Sequence, residues 1–167
     1  LKMPFKASVI TEKEMKISKH LSLKEVTKSN TAIKNGIENV PDDVQLQNLI
    51  ILAENVFEPL REHVNGPIFV GSSFRSEELN RRIGGSKTSQ HCKGQAIDID
   101  DTYGSATNAD MFHYIHDNLD YDQIIWEFGD DKNPDWVHVS YVSIEENRNQ
   151  ALKVIRKNGK SIYSFWK

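Results

Sequence analysis

Gln95-Ala96-Ile97-Asp98-Ile99-Asp100 alternates apolar and acidic residues from Ile97 onward. Ile97 and Ile99 share one face and Asp98 and Asp100 the other, the pattern of a strand with one side in a core and carboxylates on its second side. Upstream, the polar loop Ser86-Lys87-Thr88-Ser89-Gln90-His91-Cys92-Lys93-Gly94 leads into it. Before that loop, Ser76 caps a short helix expected over Glu77 to Ile83, which Gly84-Gly85 stops. Ile68-Phe69-Val70, after the breaker Gly66-Pro67, reads as a buried strand running into the polar turn Gly71-Ser72-Ser73.

Working outward, Leu46, Leu49, Ile50, Ala53, Phe57, Leu60 and Val64 form the stripe of an amphipathic helix that Pro59 kinks or splits. Ser22-Leu23-Lys24-Glu25 has the form of a capping box and starts an earlier short helix. Downstream, Met111, Phe112, Ile115 and Leu119 mark a helix over Asn108 to Leu119. Gln123 to Phe128 and Trp136 to Val142 alternate as strands around a turn-rich GDDKNPD, and Asn158-Gly159 signals a tight hairpin near the C-terminus. With helices grouped early and strands joined by hairpins or loops, the expectation is one α+β domain, a mostly antiparallel sheet with helices packed on it. Residues 1–20 read as a lead-in and 21–167 as a single domain.

Composition narrows the function classes. The 167 residues carry 21 basic against 24 acidic side chains, a net charge of -3, which gives no general attraction to nucleic acid or to an anionic membrane. The longest apolar run, Leu49 to Ala53, falls far short of the roughly 20 residues of a membrane span. No secretory signal is visible in the first residues, and the single cysteine, Cys92, cannot form an internal disulfide.

Neither H-e-x-x-h nor C-x-x-C occurs, so a metal site has to be assembled from separated elements. His91 at the end of the loop, Asp98 on the strand and His138 in Trp136-Val137-His138-Val139 are the best candidates. Two imidazoles and one carboxylate are a catalytic type of zinc set, because three protein ligands leave a fourth position for water. Taken singly, each is more often a surface or hydrogen-bonded residue than a ligand.

The wording around these residues adds to the case. Ser89-Gln90-His91-Cys92-Lys93-Gly94-Gln95-Ala96-Ile97-Asp98 resembles the S-x-H-x-x-G-x-A-x-D signature of the zinc D-Ala-D-Ala carboxypeptidase family, with its hedgehog/DD-peptidase fold. Asp135-Trp136-Val137-His138 resembles that family's second motif, an acid three positions before the last histidine. Gly71-Ser72-Ser73-Phe74-Arg75-Ser76 is similar to its S-G-Y-R-S strand end, with Ser73 where glycine is common and Phe74 where tyrosine is common. Leu79-Asn80 and Gly84-Gly85-Ser86 resemble the helix and turn that follow. The likeness spans roughly residues 20 to 142, and is closest to small phage-type and bacterial members.

The resemblance implies zinc held by His91, Asp98 and His138, with Asp135 as the general base that takes a proton from water and passes it to the leaving amine. A position at the start of the strand is compatible with reaching the metal's open side, while an aspartate after Pro134 also suits a simple turn cap. Glu127, on the strand before, is the alternative base. The resemblance further implies that Arg75 binds substrate and stabilises the oxyanion, against the plainer role of pairing with Glu77 or Glu78. Ser89 would hydrogen-bond substrate or orient a ligand, or only shape its loop. His113 and His116, three apart on a helix, lack a third ligand; Cys92 beside His91, Asp100, Asp101, His20 and His63 complete no constellation.

The implied function is a zinc peptidase that cuts a bond of bacterial peptidoglycan stem peptides, as a carboxypeptidase or as an endopeptidase of endolysin type. It is expected to be a monomer at the cell wall, in the periplasm or envelope, and either bacterial or phage-encoded. Two rivals stand beside it: a non-catalytic zinc-stabilised binding or structural module, and a zinc hydrolase of another small peptide or amide.

Overall fold

The computed structural model describes residues 15–167, so most of the expected lead-in lies outside the described residues. Its last residues are tied down. Strand β1 (Lys16–Ser18) pairs antiparallel with β2 (Leu21–Ser22), and Ile17 is buried. Glu58 anchors the turn between them, accepting from Ser18 Oγ at 2.5 Å and from the His20 backbone at 2.7 Å.

Ser22 and Glu25 close the expected capping box at the start of α1 (Leu23–Thr27), and a second short helix, α2 (Asn30–Asn35), follows under its own cap, Ser29. The long amphipathic stripe becomes α3 (Asp43–Leu52), a π-helical turn over Ala53–Phe57, and α4 (Glu58–Val64). Pro59 has no N–H for the carbonyl of Asn55 and its ring would crowd that group, so the widened turn absorbs the mismatch and the helix continues. Strand β3 (Phe69–Ser72), α5 (Glu77–Arg82), β4 (Ala96–Asp100), α6 (Asn108–Asn118), β5 (Gln123–Glu127) and β6 (Trp136–Ser140) follow the expected order. The loop before β4 is not wholly irregular: Gln90–Lys93 forms a turn of 3-10 helix.

The C-terminal hairpin is β7 (Gln150–Lys157) and β8 (Lys160–Phe165), turned by Asn158 and Gly159 at φ +52° and +74°. Two successive positive φ values fit the tight turn that an Asn-Gly pair favours. The six-stranded sheet runs β3-β4-β6-β5-β7-β8. Every pairing is antiparallel except β5 with β7, which is parallel.

One face of this sheet is the core. Ile97, Ile99, Ile124, Trp126, Val137 and Val139 are buried there with Leu49, Leu52, Phe57 and Leu60 of the long helix and Met111, Phe112 and Ile115 of α6. Trp166, past the end of β8, stacks on Trp126 at 5.0 Å between ring centroids and so ties the C-terminal hairpin to the core. Among the described residues, no helix is long and apolar enough to cross a membrane. The alternation that turns the isoleucines and valines inward turns Asp98 and His138 to the other face.

Candidate metal centre

Register aligns the central strands. Asp98 of β4 stands opposite His138 of β6, and His138 stands opposite Ile125 of β5. Asp98 and His138 are therefore nearest neighbours on one sheet face, and His138 Nδ1 lies 2.9 Å from Asp98 Oδ1. His91 arrives from the 3-10 turn, with Nε2 3.5 Å from the same oxygen. Its Nδ1 lies 2.6 Å from the carbonyl of Ser73, which can only accept, so Nδ1 carries the proton and Nε2 is free to bind a metal. One donor atom from each of the three residues falls within 4.8 Å of the others.

Gly94 explains how the loop can bring His91 there. It ends the 3-10 turn at φ +71°, and a Cβ on it would sit 2.4 Å from the backbone oxygen of Gln45. Only glycine meets both demands. Gln45 also donates to the carbonyl of Cys92 at 3.0 Å, fastening the turn to α3.

Electrostatics favour an ionised Asp98 and a neutral His91. Burial opposes the charge on Asp98, but the two neighbouring imidazoles outweigh it and hold the group well below the usual carboxylate range. Burial pushes His91 down, partly offset by Asp98. A neutral imidazole and an ionised carboxylate are the forms that ligate zinc, so this donor set fits the metal.

The triad lies in a cleft of about 750 Å³. Arg75 and Ser89 line it, so the structure brings both to the cleft that holds the triad. Arg75 follows β3, its Nη1 donates to Asn80 Oδ1 at 3.3 Å, and its Nε is buried without a partner. It does not pair with Glu77 or Glu78. Glu127 lines the same cleft and is 9% exposed; burial raises its carboxyl to about 7, with His138 pulling it down and Asp98 pushing it up.

Asp135 stands elsewhere. It is exposed and borders a neighbouring cavity with Gly129, Ile155 and Arg156, while Phe128 and Trp136 border both spaces. The physical reason is alternation: Asp135 precedes β6 in phase with Val137 and Val139, out of phase with His138. The structure thus does not bring it to the triad, contrary to the expectation that a residue at the strand's start faces the open side of the metal.

Further lining residues carried no sequence signal. Gln90, Arg148 and Tyr163 face the cleft, and Gln90 and Arg148 are held by the buried Asp122, which accepts from Gln90 Nε2 at 2.9 Å and from Arg148 Nη2 at 2.6 Å. Of the three, Gln90 alone lies within the loop motif that carries His91. The remaining candidates have other employment. His63 stacks on Tyr114, His116 pairs with Asp117, His20 with Glu58, and Asp100 and Asp101 accept from Asn108. His113 lies against Trp126 and Trp166, and Cys92 remains a free thiol.

A zinc-ligand set of this type at the centre of an antiparallel sheet defines a metallohydrolase site. The model of one family, Peptidase M15, matches residues 19–140. The chain belongs to this family of zinc D-Ala-D-Ala carboxypeptidases and is a zinc metallopeptidase. Among curated proteins, none matches it.

Proposed function

We propose that this peptidase cuts a peptide bond in the stem peptides of bacterial peptidoglycan, acting as a monomer at the cell envelope. The observation that carries the reading is the company the triad keeps: two guanidinium groups, Arg75 and Arg148, in a cleft large enough for a short peptide. Stem peptides end in a carboxylate, and a planar guanidinium matches that group. When bound by His91, Asp98 and His138, zinc supplies the Lewis acidity that activates water and polarises a carbonyl.

The chain's own residues do the rest. The Ser73 carbonyl fixes the tautomer and direction of His91. Arg75, with its unpartnered Nε, meets the negative charge that develops on the scissile carbonyl oxygen or the terminal carboxylate. Ser89, at the cleft wall, hydrogen-bonds the peptide backbone. The test is mass spectrometry of fragments released from purified peptidoglycan by zinc-loaded protein, by chelated protein and by His138→Ala. Release of D-alanine or a defined stem-peptide fragment, lost in both controls, is the expected result. No release from several peptidoglycan types, with one zinc bound per chain, would overturn it in favour of a binding module or another amide substrate.

A further inference from the structure

We propose that Arg148 selects the substrate: its guanidinium, held by Asp122, takes a carboxylate of the peptide end-on, so that the cleft favours peptides bearing a free acid over the same peptides amidated. The proposal rests on the peptidase reading and adds to it the group that is read and the edge that reads it.

The edge follows from the geometry of the fork. A guanidinium presents paired donors along two edges, Nε with Nη2 and Nη1 with Nη2. Asp122 occupies the first, accepting from Nε at 3.0 Å with Oδ1 and from Nη2 at 2.6 Å with Oδ2. The second is left over. Gln90 Oε1 meets Nη2 at only 3.5 Å, the outer limit of a hydrogen bond, and Asp122 draws on neither donor of Nη1. The Arg148 side chain is half exposed and lines the cleft that holds the triad.

This edge is held ready for a ligand. Asp122 is buried and also accepts from the Arg148 backbone N–H at 3.0 Å. The chain that follows is fastened too, with Asn149 donating to the Tyr121 carbonyl at 3.2 Å and Gln150 to that of Asp122 at 3.0 Å. An arginine fixed at backbone and head has little rotamer freedom left to lose when a ligand binds. A clamp for the loop between β6 and β7 would need only these backbone bonds and the Asp122 edge. It gives no reason for the rest of the head to border the cleft.

The same carboxylate ties Arg148 to the metal centre. Asp122 Oδ2 accepts from Gln90 Nε2, and Gln90 immediately precedes His91. The Asp122 N–H donates to the carbonyl of Ser140, two residues along β6 from His138 and so about 7 Å from it. A carboxylate on Arg148 therefore lies within about two residues of a peptide bond held over the triad. Arg75, on the β3 side of the triad, is left for the scissile carbonyl.

Four synthetic versions of the stem peptide L-Ala-γ-D-Glu-L-Lys-D-Ala-D-Ala separate the two sources of the carboxylate: both acids free, the C-terminus amidated, the glutamate replaced by isoglutamine, and both changes together. For the parent, Arg148→Gln and Arg148→Lys, kcat/KM is measured with zinc-loaded protein and Kd with zinc-free protein, which leaves the peptide intact. The parent prefers the acid over the doubly amidated peptide by about 10–100-fold, the effect of a charge-assisted hydrogen bond. Arg148→Gln brings that ratio close to one. Arg148→Lys keeps a cation against Asp122, which guards the fold, but lacks the paired edge and loses most of the preference. Whichever single amide costs the parent more identifies the terminal or the glutamyl carboxylate as the group that is read. The proposal is overturned if the parent binds acid and doubly amidated peptide alike, or if either variant keeps the full preference. A purely structural role for Arg148 would weaken all four peptides together and leave the ratio where it was, which equally overturns it. An acid preference in Kd that depends on Arg148, in a protein that cuts none of the peptides, counts against the substrate and supports this assignment; cleavage of all four at one rate does the reverse.

Discussion

Asp122→Ala removes the anchor beneath one wall of the cleft. The Asp122 side chain is 3% exposed. Its Oδ1 accepts from the Arg148 backbone N–H and Nε, both at 3.0 Å, and its Oδ2 from Arg148 Nη2 at 2.6 Å and Gln90 Nε2 at 2.9 Å. Breaking a buried ion pair from one side costs about 3–5 kcal/mol. The Arg148 side chain is 53% exposed and recovers water when its partner goes, which places the loss near the low end, about 3 kcal/mol. For a chain of this size that is a fall in Tm of roughly 6–12 °C. The assay is urea denaturation of zinc-free protein, so that metal binding does not mask the change. Burial opposes ionisation of Asp122, and its bonds to Arg148 and Gln90 outweigh it, so its folded pKa is depressed. Stability from such a group is present above the ordinary carboxylate pKa and is lost as pH falls, so the gap between parent and variant narrows below about pH 4. A loss under about 1 kcal/mol at pH 7, or a gap indifferent to acid, would refute the reasoning.

Other outcomes are as specific. His138→Ala removes stoichiometric zinc while leaving the fold intact, since the side chain lies on the cleft face; one zinc retained per chain would take His138 out of the ligand set. Gly94→Ala destabilises by about 2–4 kcal/mol, combining left-handed backbone strain with a 2.4 Å approach to Gln45, and an unchanged urea midpoint would contradict this. Metal-free protein loses stability as pH rises from the ordinary glutamate range to about 7, because burial raises the folded pKa of Glu127. The stabilisation is complete below the unfolded pKa and is worth roughly 3 kcal/mol in full. Glu127→Gln should flatten that slope between pH 5 and 7.5, and identical slopes in parent and variant would count against burial as the cause.

The sheet's centre was legible because its information is local. Ile97-Asp98-Ile99 and Val137-His138-Val139 alternate so cleanly that the ligand face follows from either strand alone. The Asn158-Gly159 turn was readable for the same reason. The parallel pairing of β5 with β7 was not, since register between distant strands leaves no trace in either sequence. Alternation also put Glu127 in phase with Gln123, but which β6 residue stands opposite is set by pairing. Asp135 shows the converse: its motif spacing is plain in the chain, while the side it faces depends on where β6 begins. Tyr163 is an exposed residue whose place at the cleft comes only from where the C-terminal hairpin lands, and exposed Arg148 owes its place to the buried Asp122.

The parts of the cleft differ in how freely they can drift. The donor atoms come from β4, β6 and a turn locked against α3, all built on residues whose reverse face is core. Tyr163 lies beyond residue 140, where the family match ends, on β8, every residue of which is exposed. Surface replacements of that kind usually change stability by less than about 0.5 kcal/mol. Inheritance can therefore rewrite what the cleft admits, one exposed side chain at a time, while the chemistry beneath it is conserved by the cost of disturbing the core.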